Sequence, residues 1–215
     1  MKVLAVSDQV VQNIYNPRIR DRYGNVNMVL SCGDLSYSYL EFIASMLNVP
    51  CLFVHGNHDQ PEHLSNGRVL DRPGGWANVD GRTAKVKGWI IAGLEGSRRY
   101  KPAAPHQYTE TEVLFRTWGL GLSLLAHRVL DGRYLDILIT HAPPCGIHDG
   151  EDHCHRGFET YLRFMRRFRP RYLLHGHQHI YAPTTWRTQY LDTEVINVYP
   201  SRVLELGRSR FCIAP

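Results

Sequence analysis

Five short apolar runs, each followed by a cluster of polar residues, constrain most strongly what this chain can fold into. The runs are continuous rather than alternating, which is typical of strands covered on both faces. They occupy residues 3–6 before Ser7 and Asp8, 28–30 before Gly33 and Asp34, 51–54 before Gly56-Asn57-His58-Asp59, 136–140 before His141, and 172–174 before His175-Gly176-His177-Gln178-His179. The sequence therefore predicts five buried strands whose ends carry the polar chemistry.

The segments between these runs predict helices and hairpins. Apolar residues recur at helical spacing over 37–47 and 158–168, and also over 109–130, where Gly119 and Gly121 interrupt the pattern. Residues 76–96 and 184–206 contain turn glycines between strand-like runs and predict hairpins. Strands alternating with helices, followed by hairpins, predict a layered α/β domain.

Length and composition are those of one globular domain. The 215 residues can bury a core without staples, and 43% hydrophobic with 21% charged residues argues against disorder, so we expect a single domain over residues 1–215. The net charge of +5 is carried mainly by arginine and favours anionic partners. The five cysteines lack CxxC spacing, which predicts a reducing setting. The sequence has no export signal, and no apolar run approaches the roughly 20 residues of a membrane span. We therefore expect a cytoplasmic protein without membrane contact.

The polar clusters contain a set of metal-ligand donors. Ligands of open α/β sheets bind beyond the carboxyl ends of the strands, so we expect the clusters to share one site. The donors are nitrogen and oxygen atoms without a thiolate, which suits zinc, manganese, iron or nickel better than a structural zinc knuckle. The candidates are Asp8, Asp34, Asn57, His58, His141, His177 and His179.

Charge favours two divalent ions at this site rather than one. Two ions bring about four positive charges, of which Asp8 and Asp34 neutralise two, leaving roughly +2 for hydroxide and an anionic substrate. Such a site should attract phosphate. Paired ions can supply hydroxide at neutral pH and stabilise both the attacking and the leaving oxygen of an in-line displacement.

The motifs resemble, in order, the signature of the calcineurin-like metallophosphoesterases: Gly33-Asp34, Gly56-Asn57-His58-Asp59, His141-Ala142-Pro143 and Gly176-His177-Gln178-His179. The resemblance extends over nearly the whole chain. It implies an α/β, four-layer metallophosphoesterase fold, in which two mixed β-sheets pack as a sandwich flanked by helices. It also implies that Asp34 bridges two metal ions, that Asp8 and His179 hold the first, that Asn57, His141 and His177 hold the second, and that His58 contacts the scissile phosphate and stabilises or protonates the leaving group.

Two positions depart from the family pattern. The Asp-x-His motif reads Asp8-Gln9-Val10, and because valine has no donor atom, we expect the first metal site to keep three protein ligands and to be weakly occupied. Tyr37 stands where the family has an aspartate that orients the catalytic histidine. Tyr37 and Asp59 are therefore alternative partners for the His58 ring.

The resemblance implies a metal-dependent phosphoesterase that hydrolyses a phosphomonoester or phosphodiester by metal-bound hydroxide at a dinuclear site. We expect residues 97–130 to form a lid that selects a phosphorylated small molecule or nucleotide, with nucleic acid as an alternative substrate. Arg98 and Arg99 either contact the substrate phosphate or only solvate this lid. The competing hypothesis, motivated by Val10 and Tyr37, is a catalytically weak or inactive scaffold that binds proteins, as is thought of the retromer subunit resembling this family.

A further histidine cluster follows His141 in the chain. It consists of His148, His153 and His155, between acidic residues. It forms either a separate metal cluster or a polar loop before the next helix, and we favour the loop.

Overall fold

Two β-sheets pack face to face, and the apolar runs of the sequence form their central strands. The structure is a computed structural model that describes residues 1–179 and 186–208. The elements of these residues, in chain order, are β1 (Lys2–Val6), α1 (Ile19–Tyr23), β2 (Met28–Ser31), α2 (Tyr37–Leu47), β3 (Cys51–Phe53), β4 (Glu62–His63), β5 (Val69–Leu70), β6 (Ala77–Asn78), β7 (Thr83–Val86), β8 (Trp89–Leu94), β9 (Ser97–Arg98), β10 (Gln107–Tyr108), α3 (Glu110–Asp131), β11 (Ile137–Thr140), α4 (Glu159–Phe168), β12 (Tyr172–His175), β13 (Arg187–Tyr190), β14 (Thr193–Asn197) and β15 (Ser201–Glu205).

Both large sheets are mixed, with parallel central strands and antiparallel pairing confined to edge strands. The first has the order β15-β1-β2-β3-β6, in which only β15 is antiparallel to its neighbour. The second has the order β13-β14-β12-β11-β8-β7, in which β13 and β7 are the antiparallel edge strands. The five predicted strands are thus divided between the sheets, with β1, β2 and β3 in the first and β11 and β12 in the second.

The core has three parts, which define four layers. Alternate residues of both sheets, such as Val3 and Leu30 from the first and Ile139 from the second, form one buried cluster between the sheets. The outer face of the first sheet packs against α1 and α2, and that of the second packs against α3 and α4. Side chains buried on both faces of each strand explain the continuous apolar runs. The predicted four-layer α/β sandwich is confirmed.

The predicted helices are confirmed, and α3 continues through its two glycines. A capping box at its start, formed by Thr109 and Glu112, satisfies the first backbone N–H groups. Gly121 faces the Phe168 ring, and a Cβ there would lie 3.4 Å from that ring, so a small residue lets α3 approach α4 closely. Tertiary packing therefore outweighs the low helix propensity of glycine.

Each predicted hairpin segment is shared between the two sheets. Strands β7 and β8 form a hairpin in the second sheet, whereas β6 joins the edge of the first. Likewise, β13 and β14 form a hairpin, and β15 leaves it to pair with β1. Residues 184 and 185 of the second segment lie outside the described part of the chain.

Most of the segment expected to form a lid belongs to the outer layer of the fold. Helix α3 contributes Val113, Leu120 and Leu124 to the core beneath the second sheet. Residues 97–108 are the part of this segment that precedes the helix and its N-cap Thr109. Across the described residues, no helix combines the length and apolar character needed to cross a membrane.

Candidate metal centre

The predicted site residues converge because strands of both sheets end at the same edge of the sandwich. The His177 backbone N–H lies 2.9 and 3.1 Å from the two carboxylate oxygens of Asp8 and donates to them. The Gly176 N–H donates to the His141 carbonyl at 3.1 Å, and the Asp8 N–H donates to the Gly33 carbonyl at 3.1 Å. Backbone hydrogen bonds thus join the loops that follow β1, β2, β11 and β12.

Glycines in the motifs allow these loops to come this close. A Cβ on Gly56 would lie 1.9 Å from Asp34 Oδ1, and a Cβ on Gly176 would lie 2.5 Å from Asp8 Oδ2. Neither position can hold a larger residue without moving a carboxylate. The motif glycines therefore serve the geometry of the two aspartates.

Three of the predicted ligands have left-handed backbone conformations. The φ angles are 64° at Asp8, 57° at Asp34 and 64° at His177, each within three residues of the end of its strand. Such angles are unfavourable for residues other than glycine and cluster at functional sites. The same backbone conformation at three strand ends directs the side chains of Asp8, Asp34 and His177 towards one shared space.

His141 occupies the centre of the site and is fully buried. Its Nδ1 donates to the Cys32 carbonyl at 2.7 Å, so Nε2 is the nitrogen that faces the site. Nε2 lies 3.0 Å from Asn57 Oδ1 and 3.3 Å from Asp34 Oδ2. Because both oxygens are acceptors, only a proton or a cation on the nitrogen can make this arrangement favourable. The donor set therefore fits a metal ion.

His177 completes this half of the site. Its Nε2 donates to the Cys154 carbonyl at 2.8 Å, which leaves Nδ1 with a free lone pair. Ligand atoms of Asp34, His141 and His177 all lie within 4.8 Å of one another. With Asn57 Oδ1 beside His141, these residues bring together four groups from four different loops.

The pKa values of these groups reflect burial and mutual charge. Burial raises the pKa of Asp34, but the neighbouring His141 lowers it by more, so the pKa is about 2. Burial lowers the pKa of His141, whereas Asp34 raises it to about 9. Burial and the positive charge of His141 lower the pKa of His177 to about 3. Burial raises the pKa of the Asp8 carboxyl. A neutral His177 and an ionised Asp34 are the forms that bind metal.

The half of the site around Asp8 is less complete. His179 Nε2 lies 4.0 Å from Asp8 Oδ1, and its half-exposed ring stacks on Tyr199 with centroids 4.3 Å apart. The Val10 side chain packs into the apolar layer of the first sheet and its helices. This position supplies no donor, and Asp8, Asp34 and His179 are the predicted ligands that remain here.

His58 is exposed beside the site, in the wall of a cleft of about 420 Å³ that also includes Asp34 and Tyr37. Its backbone N–H donates to Asp34 Oδ1 at 2.8 Å, which fixes the main chain but not the ring. Neither alternative partner orients the imidazole: Asp59 accepts backbone N–H groups, and Tyr37 is buried with its ring against His55. Among the described residues, no side chain hydrogen-bonds the His58 ring.

Arg98 and Arg99 have carboxylate partners at the start of α3. Arg98 lies 2.8 Å from Glu110 and donates to the Gly157 carbonyl, while Arg99 lies 2.9 Å from both carboxylate oxygens of Glu112. These contacts attach the loop after β9 to α3. In this arrangement the guanidinium groups stabilise the segment at the edge of the site.

The histidines after His141 do not form one cluster. His148 Nδ1 lies 3.0 Å from Nε2 of the buried His175, His153 binds the Arg99 carbonyl, and His155 pairs with Asp152. Asp152, Cys154 and His155 come within metal-binding distance of one another, but on the exposed loop. The polar loop that we favoured fits this arrangement.

Two groups near the site were missed from the sequence. Tyr100 Oη accepts from the Asn57 amide nitrogen at 3.2 Å and so directs Oδ1 of Asn57 towards His141. Glu95 is buried and binds His55, His106 and Tyr108. Glu95 follows β8 directly, so the strand-end rule applied to the five apolar runs would have identified it. Nothing in the sequence indicates Tyr100.

The fold and the site together define a class of protein: an α/β sandwich with oxygen and nitrogen donors gathered at the ends of its strands. A family model, calcineurin-like phosphoesterase, matches residues 1–181. The chain belongs to the calcineurin-like phosphoesterase family.

Two solved structures share the fold at low identity, and a third superposes less well. One superposes with a TM-score of 0.62 at 14% identity, covering 92% of this chain and 90% of its own. The protein TT1561 of Thermus thermophilus has a TM-score of 0.57 at 13% identity, over 92% and 88% of the two chains. A single mutant of Vps29 from Entamoeba histolytica has a TM-score of 0.37 at 15% identity, over 92% and 73%. No curated protein matches the sequence significantly. At these identities the likeness to the first two structures concerns the fold alone.

Proposed function

We propose that this protein is a metal-dependent phosphoesterase that hydrolyses a phosphomonoester or phosphodiester. The observation that carries the proposal is the buried His141 Nε2 facing Asn57 Oδ1 and Asp34 Oδ2, an arrangement that is favourable only when the nitrogen carries a proton or binds a metal cation. Membership of a phosphoesterase family supports the same function.

The chain's own residues provide two adjoining sets of ligands for divalent ions. Asn57, His141 and His177 would hold one ion, Asp8 and His179 the other, and Asp34 both. Manganese, iron, zinc and nickel all suit these nitrogen and oxygen donors. When bound, such ions supply the Lewis acidity that activates water and neutralises phosphate charge.

His58 is the proposed catalytic residue. Its backbone is fixed on Asp34, while its ring is free to turn towards a phosphate ester in the cleft. It would contact the leaving oxygen and stabilise it or donate a proton to it. The exposed position gives the ring access to substrate but no fixed partner within the described residues.

The proposed substrate is a phosphorylated small molecule or a nucleotide. Residues 97–108 border the site through Tyr100, and Arg98 and Arg99 attach this segment to α3. The segment is therefore the part of the chain that we propose selects the substrate. The two arginines would act by holding this segment rather than by binding phosphate.

The test measures hydrolysis of a nitrophenyl phosphate monoester and diester with manganese. Asp34→Asn keeps the shape of the side chain but removes the charge shared by both ligand sets, so activity should fall roughly 100-fold or more. Asp192→Asn is the matched control, because it removes an exposed carboxylate whose partner is Arg169, and its activity should equal that of the wild type.

Metal content and thermal unfolding of each variant separate a lost site from a lost fold. Equal background rates in the wild type, Asp34→Asn and Asp192→Asn, with a folded and metal-loaded wild type, would overturn the enzymatic function. That result would favour the alternative, a catalytically inactive scaffold that binds proteins.

A further inference from the structure

Helix α3 carries a stripe of exposed apolar side chains on the face opposite the core. We call this surface the α3 stripe; it consists of Phe115, Trp118, Leu122, Leu125 and Val129. Leu122 is 74% exposed and Val129 is 83% exposed, although both are aliphatic. The buried face of the same helix, with Val113, Leu120 and Leu124, already packs against the second sheet. An exposed apolar surface of this kind marks an interaction site.

The spacing of the α3 stripe identifies the shape of its partner. Its residues recur at intervals of three, four, three and four, which is the seam of a two-helix coiled coil. Such a seam matches another α-helix rather than a flat surface or an extended peptide. The occupant is therefore a helix that presents apolar residues at the same period.

The stripe is nearly symmetric about Leu122. Phe115 and Val129 lie seven residues to either side, and Trp118 lies four residues before it, opposite Leu125 and Ala126. A two-fold axis through Leu122 would place Phe115 of one copy against Val129 of an antiparallel second copy. A self-complementary surface of this kind is what a symmetric dimer requires.

Charge and backbone features favour the same antiparallel pair. The first turn of α3 is acidic through Glu110 and Glu112, and the last turn is basic through Arg128. Because these glutamates are already paired with Arg98 and Arg99, the attraction between the ends of an antiparallel pair comes from the opposite helix dipoles. Gly119 is exposed beside the stripe and would meet nothing within 4 Å if it carried a Cβ, so it offers room for close backbone approach.

The exposed area is sufficient for a stable contact. The side chains of the α3 stripe, with the adjacent Leu130, expose on the order of 700 Å², close to the about 800 Å² per partner of a standard interface. We propose that α3 is a homodimer interface, in which two copies of this chain pair their α3 stripes antiparallel about a two-fold axis at Leu122.

The first experiment measures the molar mass of the whole chain by sedimentation over a series of concentrations. The wild type should reach twice its monomer mass of 24.7 kDa. Leu122→Glu places two carboxylates at the two-fold axis and should give a monomer that unfolds at the wild-type temperature, because Leu122 is exposed. Leu191→Glu is the matched control: Leu191 is 59% exposed but lies outside α3, so this variant should remain dimeric.

Cross-linking tests the antiparallel arrangement independently of mass. When Phe115→Cys and Val129→Cys chains are mixed, oxidation should link one to the other more than either to itself, with the wild type as a control for the native thiols. Stronger self-linking would indicate parallel helices and overturn the arrangement. A wild type that stays monomeric at every concentration would overturn the interface and would indicate that the α3 stripe binds a different protein. A Leu122→Glu variant that stays dimeric would also overturn it.

Discussion

His141 Nε2 lies 3.0 Å from Asn57 Oδ1, although 84 residues separate the two in the chain. Asp34 Oδ2 lies 3.3 Å from the same nitrogen. Without a metal ion, a proton fills this position, because Asp34 raises the pKa of His141 to about 9 against the opposing effect of burial. An ion that binds His141 must therefore displace a proton at neutral pH.

We expect manganese binding to release about one proton from His141 near neutral pH. Titration calorimetry in two buffers of different ionisation enthalpy measures this number. Because the folded pKa exceeds the unfolded value of about 6.5, the proton stabilises the metal-free protein fully below that pH, and the stabilisation is lost as pH rises through about 9. Identical heats in the two buffers would show that the ion does not displace this proton.

Val10→His should strengthen binding of the ion held by Asp8 and His179. The substitution supplies the missing donor. We therefore expect the ion at the Asp8 and His179 position to be retained roughly 10-fold or more strongly during dialysis. Metal analysis measures the content. Val11→His is the matched control, since Val11 packs against the same apolar layer and is not expected to reach the site. Two full equivalents in the dialysed wild type would contradict the weak first site.

Asp59→Ala should destabilise the loop that carries Asn57 and His58. The Asp59 carboxylate accepts from the backbone N–H groups of Gly56 at 2.8 Å and of Asp34 and Leu35 at 3.2 Å. Loss of a buried charged acceptor with three donors should lower the free energy of unfolding by about 3 kcal/mol. Urea unfolding measures the change.

The control for Asp59→Ala is Asp71→Ala, which removes an exposed carboxylate. It should change the unfolding free energy by less than about 0.5 kcal/mol. If the two variants unfold alike, Asp59 does not hold the loop.

Tyr100→Phe should weaken metal binding while leaving the fold intact. The substitution removes only the hydroxyl that directs the Asn57 amide. Groups that orient metal ligands in this way typically affect affinity roughly 10–100-fold, so we expect about a 10-fold loss for manganese. Tyr134→Phe removes a hydroxyl that binds Arg167 away from the site and should bind manganese normally. An unchanged affinity in Tyr100→Phe would remove Tyr100 from the site.

Glu95→Gln should lower stability strongly. Glu95 is buried, its pKa lies well below the ordinary range because His106 and His55 outweigh burial, and Arg116 lies 3.7 Å away. Removing its charge deprives His55 and His106 of their carboxylate partner, whereas Arg116 keeps its pair with Asp80, and the change should cost about 3 kcal/mol. Glu41→Gln, which interrupts the more exposed pair with Arg68, should have little effect in the same thermal unfolding assay. A Glu95→Gln variant as stable as the wild type would contradict this account.

The apolar runs were sufficient to predict the central strands, and the helix over Tyr37–Leu47 was predicted to the residue. Both depend on local pattern, since burial of two strand faces or one helix face leaves a period in the sequence. The division of strands between two sheets was not readable in this way. Strand β15 pairs with β1 although the two lie at opposite ends of the described chain, and no local pattern encodes such pairing.

The site shows the same division between what local sequence predicts and what tertiary contacts decide. The sequence by itself determined which donors the strand ends carry, because short apolar runs end at polar residues whose chemistry depends on residue type alone. Only the tertiary structure decided which donor faces which: Tyr100 turns Asn57 towards His141, Glu95 binds two histidines from other loops, and Val10 packs into an apolar layer. These relationships depend on contacts between residues far apart in the chain, which form only when both sheets have packed.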